Sequence, residues 1–489
     1  MPGDILVNDL TLDSRAIAPG GLFLALKGRT HHGLKFAEQA VARGARAVLY
    51  EDSPDTVAPS LGAGVFVAAV PQLSQRASAI ADRFFGAPSQ SLTMAGITGT
   101  NGKTTCAWLL AQALQFCGRP AAYMGTLGYG RPPTVTATEH TTSDAVSVQR
   151  HLAALRSLGA ECVSMEVSSH ALDQDRVAAV RFNTAAFTNL TRDHLDYHGT
   201  MEAYGLAKAR LFVWPSLVNR VINVDDAFGL QIAAQSSAAR LVVTSQKGIA
   251  LKDAEYVRAS RVTPDPAGLV IGVDSSWGPG ELTVRLIGEF NVDNVLTVLA
   301  VLLAWNIPLS QAIRALEQCR AASGRMEMFG GRGQTPLAIV DYAHTPDALE
   351  KTLSSLRQVA NERSGKLWCV FGCGGDRDPG KRPEMGAAAM TADHVVVTSD
   401  NPRSEEPKAI IAQIIAGMGN ADGKRIEIED RAAAILWAVR HAAKQDVVLL
   451  AGKGHETYQE IKGKKLPFAD ADHAALALAA RATMMGAAS

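Results

Sequence analysis

Apolar and polar positions alternate along this chain in two recurring forms, short apolar runs bounded by turn formers and longer stretches with helical spacing. In residues 1–90 the runs Gly21–Leu26 and Ala45–Tyr50 stand between helical stretches, and the segment closes on a cluster of turn formers at Gly86–Ser91. From 91 to 322 the pattern predicts strands at Leu92–Thr98, Cys162–Val167, Thr184–Thr188 and Arg220–Val224, with amphipathic helices between them. Residues 240–285, rich in β-branched residues and turns, predict an antiparallel insertion, and Asn291 to Arg320 predicts two helices. From 323 to 489 strands are predicted at Leu337–Val340, Leu367–Phe371, His394–Thr398, Arg425–Ile428 and Val447–Leu450, and helices at Ala409–Met418 and Arg431–Ala443. Such alternation implies mostly parallel sheets covered by helices. The expected fold class is α/β in three domains: 1–90, a central 91–322 built on a mostly parallel sheet, and a doubly wound 323–489.

Polar and glycine-rich signals sit at or just past the carboxyl ends of these strands. They are Gly99–Thr104, Glu166, Asn189, Asp341, Gly372–Arg377, Asp400–Arg403 and Gly452–Glu456. Open α/β sheets bind ligands outside those ends, so the pattern points to two ligand-bearing edges and a cleft between domains.

Composition changes this picture little. With 489 residues and 47% apolar content the chain can bury several cores, and about 150 residues per domain again suggests three. Lys+Arg and Asp+Glu are both 48, so net charge gives no support to wholesale nucleic-acid binding. The six cysteines are scattered, with no C-x-x-C pair, which reads as free thiols in a reducing compartment. The start of the chain has no basic region followed by an apolar one, and the most apolar stretch, Leu296 to Trp305, is about half a membrane span. A cytoplasmic monomer with neither nucleic-acid nor membrane partners is expected.

Gly99-Thr-Asn-Gly-Lys-Thr-Thr105, between a predicted strand and a helix that Gly118 stops, is the strongest single motif. Glycines let backbone N–H groups approach phosphates, the helix N-terminus favours negative charge, and Lys103 can reach the β/γ-phosphates with the Thr104 hydroxyl on Mg²⁺. The pattern departs from G-x-x-x-x-G-K-[ST] at Ile97. By spacing alone Glu166, His194 and Lys208 read as ordinary polar residues. Opposite a phosphate loop, Glu166 and His194 also fit as Mg²⁺ ligands or as groups supporting them. Gly372–Arg377 lacks the third glycine of a dinucleotide loop, which argues against NAD, while Arg377, Lys381, Arg382 and Arg403 offer cations for anionic groups.

Taken together, Gly99–Thr105, Glu166–Leu172, Asn189–Asp196, Lys208, Asn291–Asn294, Gly324–Glu327, Asp341–His344 and Gly372–Arg382 resemble the Mur ligases, in the same order and over nearly the whole chain. These are three-domain ATP-dependent amide ligases of peptidoglycan synthesis. Asp400–Arg403 and Gly452–Glu456 look like the branch that adds meso-2,6-diaminopimelate to UDP-N-acetylmuramoyl-L-alanyl-D-glutamate. The resemblance implies an N-terminal α/β uridine-nucleotide domain, a central P-loop-type sheet holding ATP and a C-terminal Rossmann-like domain for the amino acid. It implies roles residue by residue. Leu12, Ser14, Arg29, Thr30 and His31 match uridine-nucleotide positions, and Thr141, Thr142, Ser168, Gln174 and Arg176 match muramoyl-dipeptide positions. Gly99, Thr100, Asn101, Gly102, Lys103, Thr104, Thr105, Asn291, Arg325 and Asp341 match ATP positions. Lys208 matches a lysine carbamylated by CO₂ that joins Thr104, Glu166 and His194 at Mg²⁺. Arg377, Asp400, Asn401, Pro402, Arg403, Gly452 and Glu456 match diaminopimelate positions. Ser143 and Glu406 are mild departures, standing where proline and aspartate are common.

Overall fold

A computed structural model describes residues 5–486 except Arg29, Thr30, Asp55, Ala58, Ala63, Glu139, Pro266, Ala267, Asn420, Ala421, Asp422 and Lys424. Arg29 and Thr30, assigned above to the uridine nucleotide, therefore lie outside the described residues. The chain forms two compact units, Met1–Val262 with Val270–Leu282 and Asp293–Cys319, and Arg320–Ser489 with Thr263–Leu269 and Thr283–Val292.

The first unit carries two sheets. In the N-terminal one, Leu10–Thr11, Leu22–Ala25, Ala47–Glu51 and Phe66–Val70 pair in that order, all parallel. Strand side chains point alternately to opposite faces. Leu22 and Leu24 accordingly meet Leu73, Ala77 and Ala81 of the helix Leu73–Phe84, while Phe23 and Ala25 meet Ala37 and Ala40 on the other face. Ala145 and Val146 of the helix Ala145–Ser157 enter the first of these cores, and Arg150 of that helix pairs with Asp9 at 2.8 Å. The helix Ala145–Ser157 of the second predicted zone thus contributes to the core of the first.

The second sheet runs Arg240–Ser245, Asn219–Asn223, Thr184–Phe187, Thr93–Thr98, Cys162–Glu166, Ala121–Gly125, each neighbour parallel. Its four predicted strands are present to within one residue at either end. The expected antiparallel insertion at 240–285 is corrected in part. Arg240–Ser245 pairs in parallel with Asn219–Asn223, and Glu255–Asp265 pairs in parallel with Arg240–Ser245, so the parallel sheet extends two strands further. Turn-rich composition masked a sheet whose strands are only half buried at that edge. At the other edge the antiparallel strands Gly128–Arg131 and Thr134–Thr136, not anticipated from the sequence, complete it. The helix Lys103–Phe116 packs on the sheet, and buried residues on nearly every side leave it little polar surface.

In the second unit the order is Glu327–Gly330, Leu337–Asp341, Val447–Ala451, Leu367–Phe371, His394–Val397, Arg425–Glu427, parallel except for the first, antiparallel strand. Ile339, Cys369, Phe371 and Leu449 face one helical layer, and Ala338, Trp368, Val370 and Leu450 face the other. Both faces are covered, as double winding requires. Because these strands run the same way, Asp341, Gly372, Thr398–Arg403 and Gly452–Glu456 all emerge at one edge. Among the described residues no helix is long and apolar enough to cross a membrane.

Candidate active site

The phosphate-loop motif is held by close backbone contacts. A side chain at Gly99 (φ +150°) would lie 1.9 Å from Thr188 Oγ1, and one at Gly102 (φ +84°) would lie 2.3 Å from Asn294 Oδ1. Only glycine fits either place. The end of the neighbouring strand braces the loop: Asn189 Oδ1 accepts from Asn101 N at 2.9 Å, and Thr188 Oγ1 donates to Asn101 O at 2.6 Å. The helix Lys103–Phe116 starts at Gly102, with Thr105 half-buried in its first turn. Its first amides have no partner inside the helix, so the turn presents N–H groups and the positive end of a dipole.

Around this loop the structure gathers several of the expected residues. Thr104 Oγ1 donates to Glu166 Oε2 at 2.9 Å. Glu166, fully buried, also accepts from Tyr123 Oη at 2.5 Å and from Thr126 N at 2.9 Å on Oε1. Lys103 Nζ donates to the carbonyls of Gly99 (2.9 Å) and Thr100 (2.8 Å). Lys208 Nζ donates to the same Gly99 carbonyl at 2.7 Å and lies 4.4 Å from the centre of the Tyr204 ring. The solvated-lysine reading of Lys208 is thereby overturned, since this side chain is 1% exposed. Burial, reinforced by the Lys103 charge and opposed by Asp193, pushes its ammonium well below the ordinary lysine range. His194 is half exposed, 3.4 Å from Asp193 and ring-to-ring with His170 (4.8 Å) and Tyr204 (6.0 Å), so it neighbours the Tyr204 ring on which Lys208 rests.

The muramoyl-dipeptide set forms a chain of bonds that starts at Glu166. Thr126 Oγ1 bonds Glu166 Oε2 (3.3 Å) and Thr141 Oγ1 (3.1 Å), and Thr142 Oγ1 donates to Glu166 O at 2.8 Å. Arg176 donates to Thr142 O at 2.9 Å and grips Gln174 Oε1 from Nε and Nη2 (2.9 and 2.6 Å). Ser168 caps the helix Ser169–Asp173, accepting from Ala171 N at 3.1 Å. Leu12 packs in the N-terminal core, Ser14 Oγ donates to Gln39 at 2.7 Å, and His31 O accepts from Gly28 N at 3.0 Å. Those three residues take part in local bonds of the N-terminal sheet.

In the second unit two of the three residues expected at the nucleotide, Asp341 and Asn291, bond the backbone. Asp341 accepts from Met326 N (2.9 Å) and Ala343 N (3.0 Å), Asn291 Nδ2 donates to Ile287 O (2.7 Å), and Arg325 lies 4.7 Å over the Tyr342 ring. Burial holds the Asp341 carboxyl above the usual range, against Arg325 and those amide bonds.

The amino-acid set is drawn together by paired charges. Asn401 Nδ2 donates to Glu456 Oε2 at 2.8 Å, and Asp400 Oδ1 accepts from Asn401 N at 2.6 Å. Burial raises the Asp400 carboxyl, opposed by Arg431 and Lys453. Pro402 O lies where a side chain on Gly375 would collide, and Gly452 abuts Asp400 in the same way. Arg403 adopts φ +51°, donates from Nη1 to Gly375 O at 2.7 Å and places Nε 3.4 Å from Glu460. Two of its nitrogens are therefore engaged inside the protein, so the guanidinium expected to serve an anionic group is already partly used. Arg377 is exposed in the adjoining loop. Arg382, read above as a free cation, is corrected as well. It is 2% exposed, forks both oxygens of Glu405 (2.8 and 2.7 Å) and donates to Gln413 Oε1 and Gly374 O. Glu405 in turn accepts from Asp376 N at 2.7 Å, which ties the 374–376 loop to the 402–406 loop.

Tyr123, Thr126, Lys453, Glu405 and Glu460 were missed in the sequence. Lys453 lies inside the Gly452–Glu456 motif; the others carry no spacing signal, because partners 23 or more residues away select them.

Three family models match the chain: the Mur ligase family catalytic domain over residues 7–85, the Mur ligase middle domain over 97–302 and the Mur ligase glutamate ligase domain over 324–454. UDP-N-acetylmuramoyl-L-alanyl-D-glutamate–2,6-diaminopimelate ligase of Janthinobacterium sp. (strain Marseille) is 50% identical, over 98% of this chain and 95% of its own length. The protein of the same name from Pseudomonas aeruginosa is 48% identical over 98% and 96%. Among solved structures, one of a UDP-N-acetylmuramoyl-L-alanyl-D-glutamate–2,6-diaminopimelate ligase is 36% identical, covering 97% of this chain and 95% of that one with a TM-score of 0.68.

Proposed function

The chain belongs to the Mur ligase family, and we propose that it joins meso-2,6-diaminopimelate to UDP-N-acetylmuramoyl-L-alanyl-D-glutamate with conversion of ATP to ADP and phosphate. The γ-phosphoryl of ATP passes to the D-glutamate side-chain carboxylate, ADP leaves, and a poor electrophile becomes an acyl phosphate. The amine of diaminopimelate attacks its carbonyl carbon and loses a proton, and inorganic phosphate departs as the amide forms. In the first step Lys103 and the amides of the Gly99–Thr104 loop hold the triphosphate, with the Lys103 ammonium exchanging its carbonyl partners for phosphate oxygens. Thr141, Thr142 and Arg176 hold the dipeptide beside Glu166. In the second step Asp400–Arg403, Gly452 and Glu456 bind the amino acid.

Thr104, Glu166, His194 and a carbamylated Lys208 would hold Mg²⁺, which when bound supplies charge neutralisation of the phosphates. The donor set fits a hard cation in Thr104 and Glu166, whose oxygens already meet. It fits at Lys208 only after modification, since an ammonium repels a cation. Two ammonium groups on one carbonyl favour that change: with its proton affinity lowered, Lys208 gives up its proton more readily, and the free amine is the form that takes up CO₂.

The observation that carries the reading is the acceptor site, where the guanidinium of Arg403 and the carboxylate of Glu456 lie at one sheet edge, one for each charge of an α-amino acid head. Incubating the protein with UDP-muramoyl dipeptide, ATP, Mg²⁺ and single amino acids, then weighing the products, tests it. A mass gain of one diaminopimelate residue is expected, and formation of product with L-lysine or D-alanyl-D-alanine instead would refute the assignment.

A further inference from the structure

Lys453 is a fully buried ammonium beside the acceptor loops described above. Its side chain is 0% exposed, and Nζ donates to Glu456 Oε2 at 2.8 Å and to Asn401 Oδ1 at 3.2 Å. Asn401 closes the triangle by donating from Nδ2 to the same Glu456 oxygen at 2.8 Å, and its Oδ1 also accepts from Glu460 N at 2.9 Å. One ammonium therefore ties the loop after His394–Val397 to the loop after Val447–Ala451, and Asn401 extends the link to the hairpin strand Tyr458–Ile461. The backbone repeats the link, because Glu456 N donates to Lys453 O at 2.9 Å.

The division of the Glu456 oxygens has a chemical consequence. Oε2 takes both of these internal bonds, and Oε1 takes neither. Glu456 remains 21% exposed while the ammonium beneath it sees no water. A carboxylate that is to receive an ammonium must be held in place, and a buried cation at hydrogen-bond distance does that. From these contacts we propose that Lys453 is a positioning residue for acceptor selection: it orients Glu456 and Asn401, touches no reacting atom, and acts on the amino acid through Glu456. The inference rests on the diaminopimelate reading above and names the group on which that site is built.

The test is a double-mutant cycle on the full-length protein, with steady-state KM for diaminopimelate, ATP and the UDP-dipeptide in each variant. The wild type comes first: if it makes no product with diaminopimelate, the functional reading fails before Lys453 is in question. Given an active wild type, Lys453→Met, which keeps the chain length and removes the charge, should raise KM for diaminopimelate roughly 10-fold or more, the size of one lost charge-assisted hydrogen bond. KM for ATP and for the UDP-dipeptide should stay within about 2-fold, and kcat at saturation should be largely kept. A merely structural lysine would disturb all three substrates alike. Glu456→Gln should raise the same KM, and the double variant Lys453→Met/Glu456→Gln should match Glu456→Gln alone. The double variant carries no unpaired buried charge, so it stays informative even if Lys453→Met alone fails to fold. A folded Lys453→Met with normal KM, a loss confined to kcat, an equal loss for every substrate, or a double variant much worse than Glu456→Gln would overturn the proposal.

Discussion

The phosphate loop and the acceptor loops treat positive charge in opposite ways. At Gly99, two ammonium groups, Lys103 and Lys208, donate to one uncharged carbonyl, and burial together with mutual repulsion lowers the proton affinity of Lys208. At the acceptor edge four cations meet carboxylates: Arg382 with Glu405 at 2.7 Å, Arg403 with Glu460 at 3.4 Å, Lys453 with Glu456 at 2.8 Å and Arg431 with Asp470 at 2.7 Å. The difference follows the ligands proposed. A triphosphate is a polyanion, and the Lys103 ammonium, held on carbonyls, can turn its charge to it. A free amino acid is a zwitterion of no net charge, and a site of paired charges binds it by exchanging partners rather than by net attraction.

The sharpest way to break that comparison is to remove a cation from the first region. Lys103→Ala should keep the fold and lower kcat by roughly 10³-fold or more, as when a transition-state charge loses its fixed partner. Circular dichroism and a phosphate-release assay check it, and near-normal turnover would end the phosphate-loop assignment. Lys208 comes next. If its working form is the carbamate, Lys208→Arg preserves the charge and still loses activity by about 10²-fold or more. Depleting CO₂ should slow the wild type, bicarbonate should restore it, and short carboxylic acids should partly rescue Lys208→Ala. A fully active Lys208→Arg would make the buried cation itself the functional species.

In the second region the losses should be smaller and specific to one substrate. Only diaminopimelate, not lysine, carries a second α-amino-carboxylate, so Arg403→Ala should cut kcat/KM for diaminopimelate by about 10- to 100-fold, the worth of one charged hydrogen bond. Use of ATP should barely change. Arg403→Lys should recover little, because Nε and Nη1 are what Glu460 and Gly375 hold and an ammonium has no such geometry. Equal losses with diaminopimelate and ATP would mean that Arg403 braces the loops instead of reading the ligand.

The two regions also differed in how legible they were. The phosphate loop could be read directly, because strand Thr93–Thr98, its glycines and helix Lys103–Phe116 are contiguous and each is set by local conformation. The strands of the second unit were equally plain, since both faces are buried and the apolar runs are unbroken. What the sequence hid was pairing. Arg382 looks like a solvent cation until the fold places Glu405 and Gln413 around it, and Lys208 looks like a helix-surface lysine until Gly99 and Tyr204 cover it. The parallel pairing of Arg240–Ser245 with both its neighbours was hidden for a similar reason, because direction is set by which strands meet in the fold. Neither hairpin composition nor β-branching distinguishes the two directions.

The smallest effect expected, and the one that isolates charge pairing from catalysis, is the acid stability that Glu405 confers. The Arg382 hydrogen bond, aided by the Asp376 amide and opposed by burial, holds the Glu405 carboxyl down at about 2, against 4.5 for an ordinary glutamate. A carboxylate with a depressed value binds fewer protons folded than unfolded, so its stabilisation is fully present above about 4.5 and fades as pH falls towards about 2. Glu405→Gln keeps an acceptor for the Asp376 amide and removes the charge. The wild type should therefore exceed the variant in melting temperature near neutrality, and the gap should close on acidification through that window. Because the pair is partly exposed and screened, the gap is worth on the order of 1 kcal/mol, about 2–4 °C. Other groups contribute to both proteins and cancel in the difference. His455, pushed down to about 4 by burial and by Arg325, loses stability for both as pH falls from 6.5. The raised carboxyls of Asp341 and Asp400 act in the opposite sense for both. Melting curves taken at intervals from pH 7 to pH 3 measure the gap. Parallel curves would show that Arg382 is held by Gln413 and Gly374 alone, and the contrast between a charge-paired acceptor edge and a carbonyl-held phosphate loop would then rest on Arg403, Lys453 and Arg431.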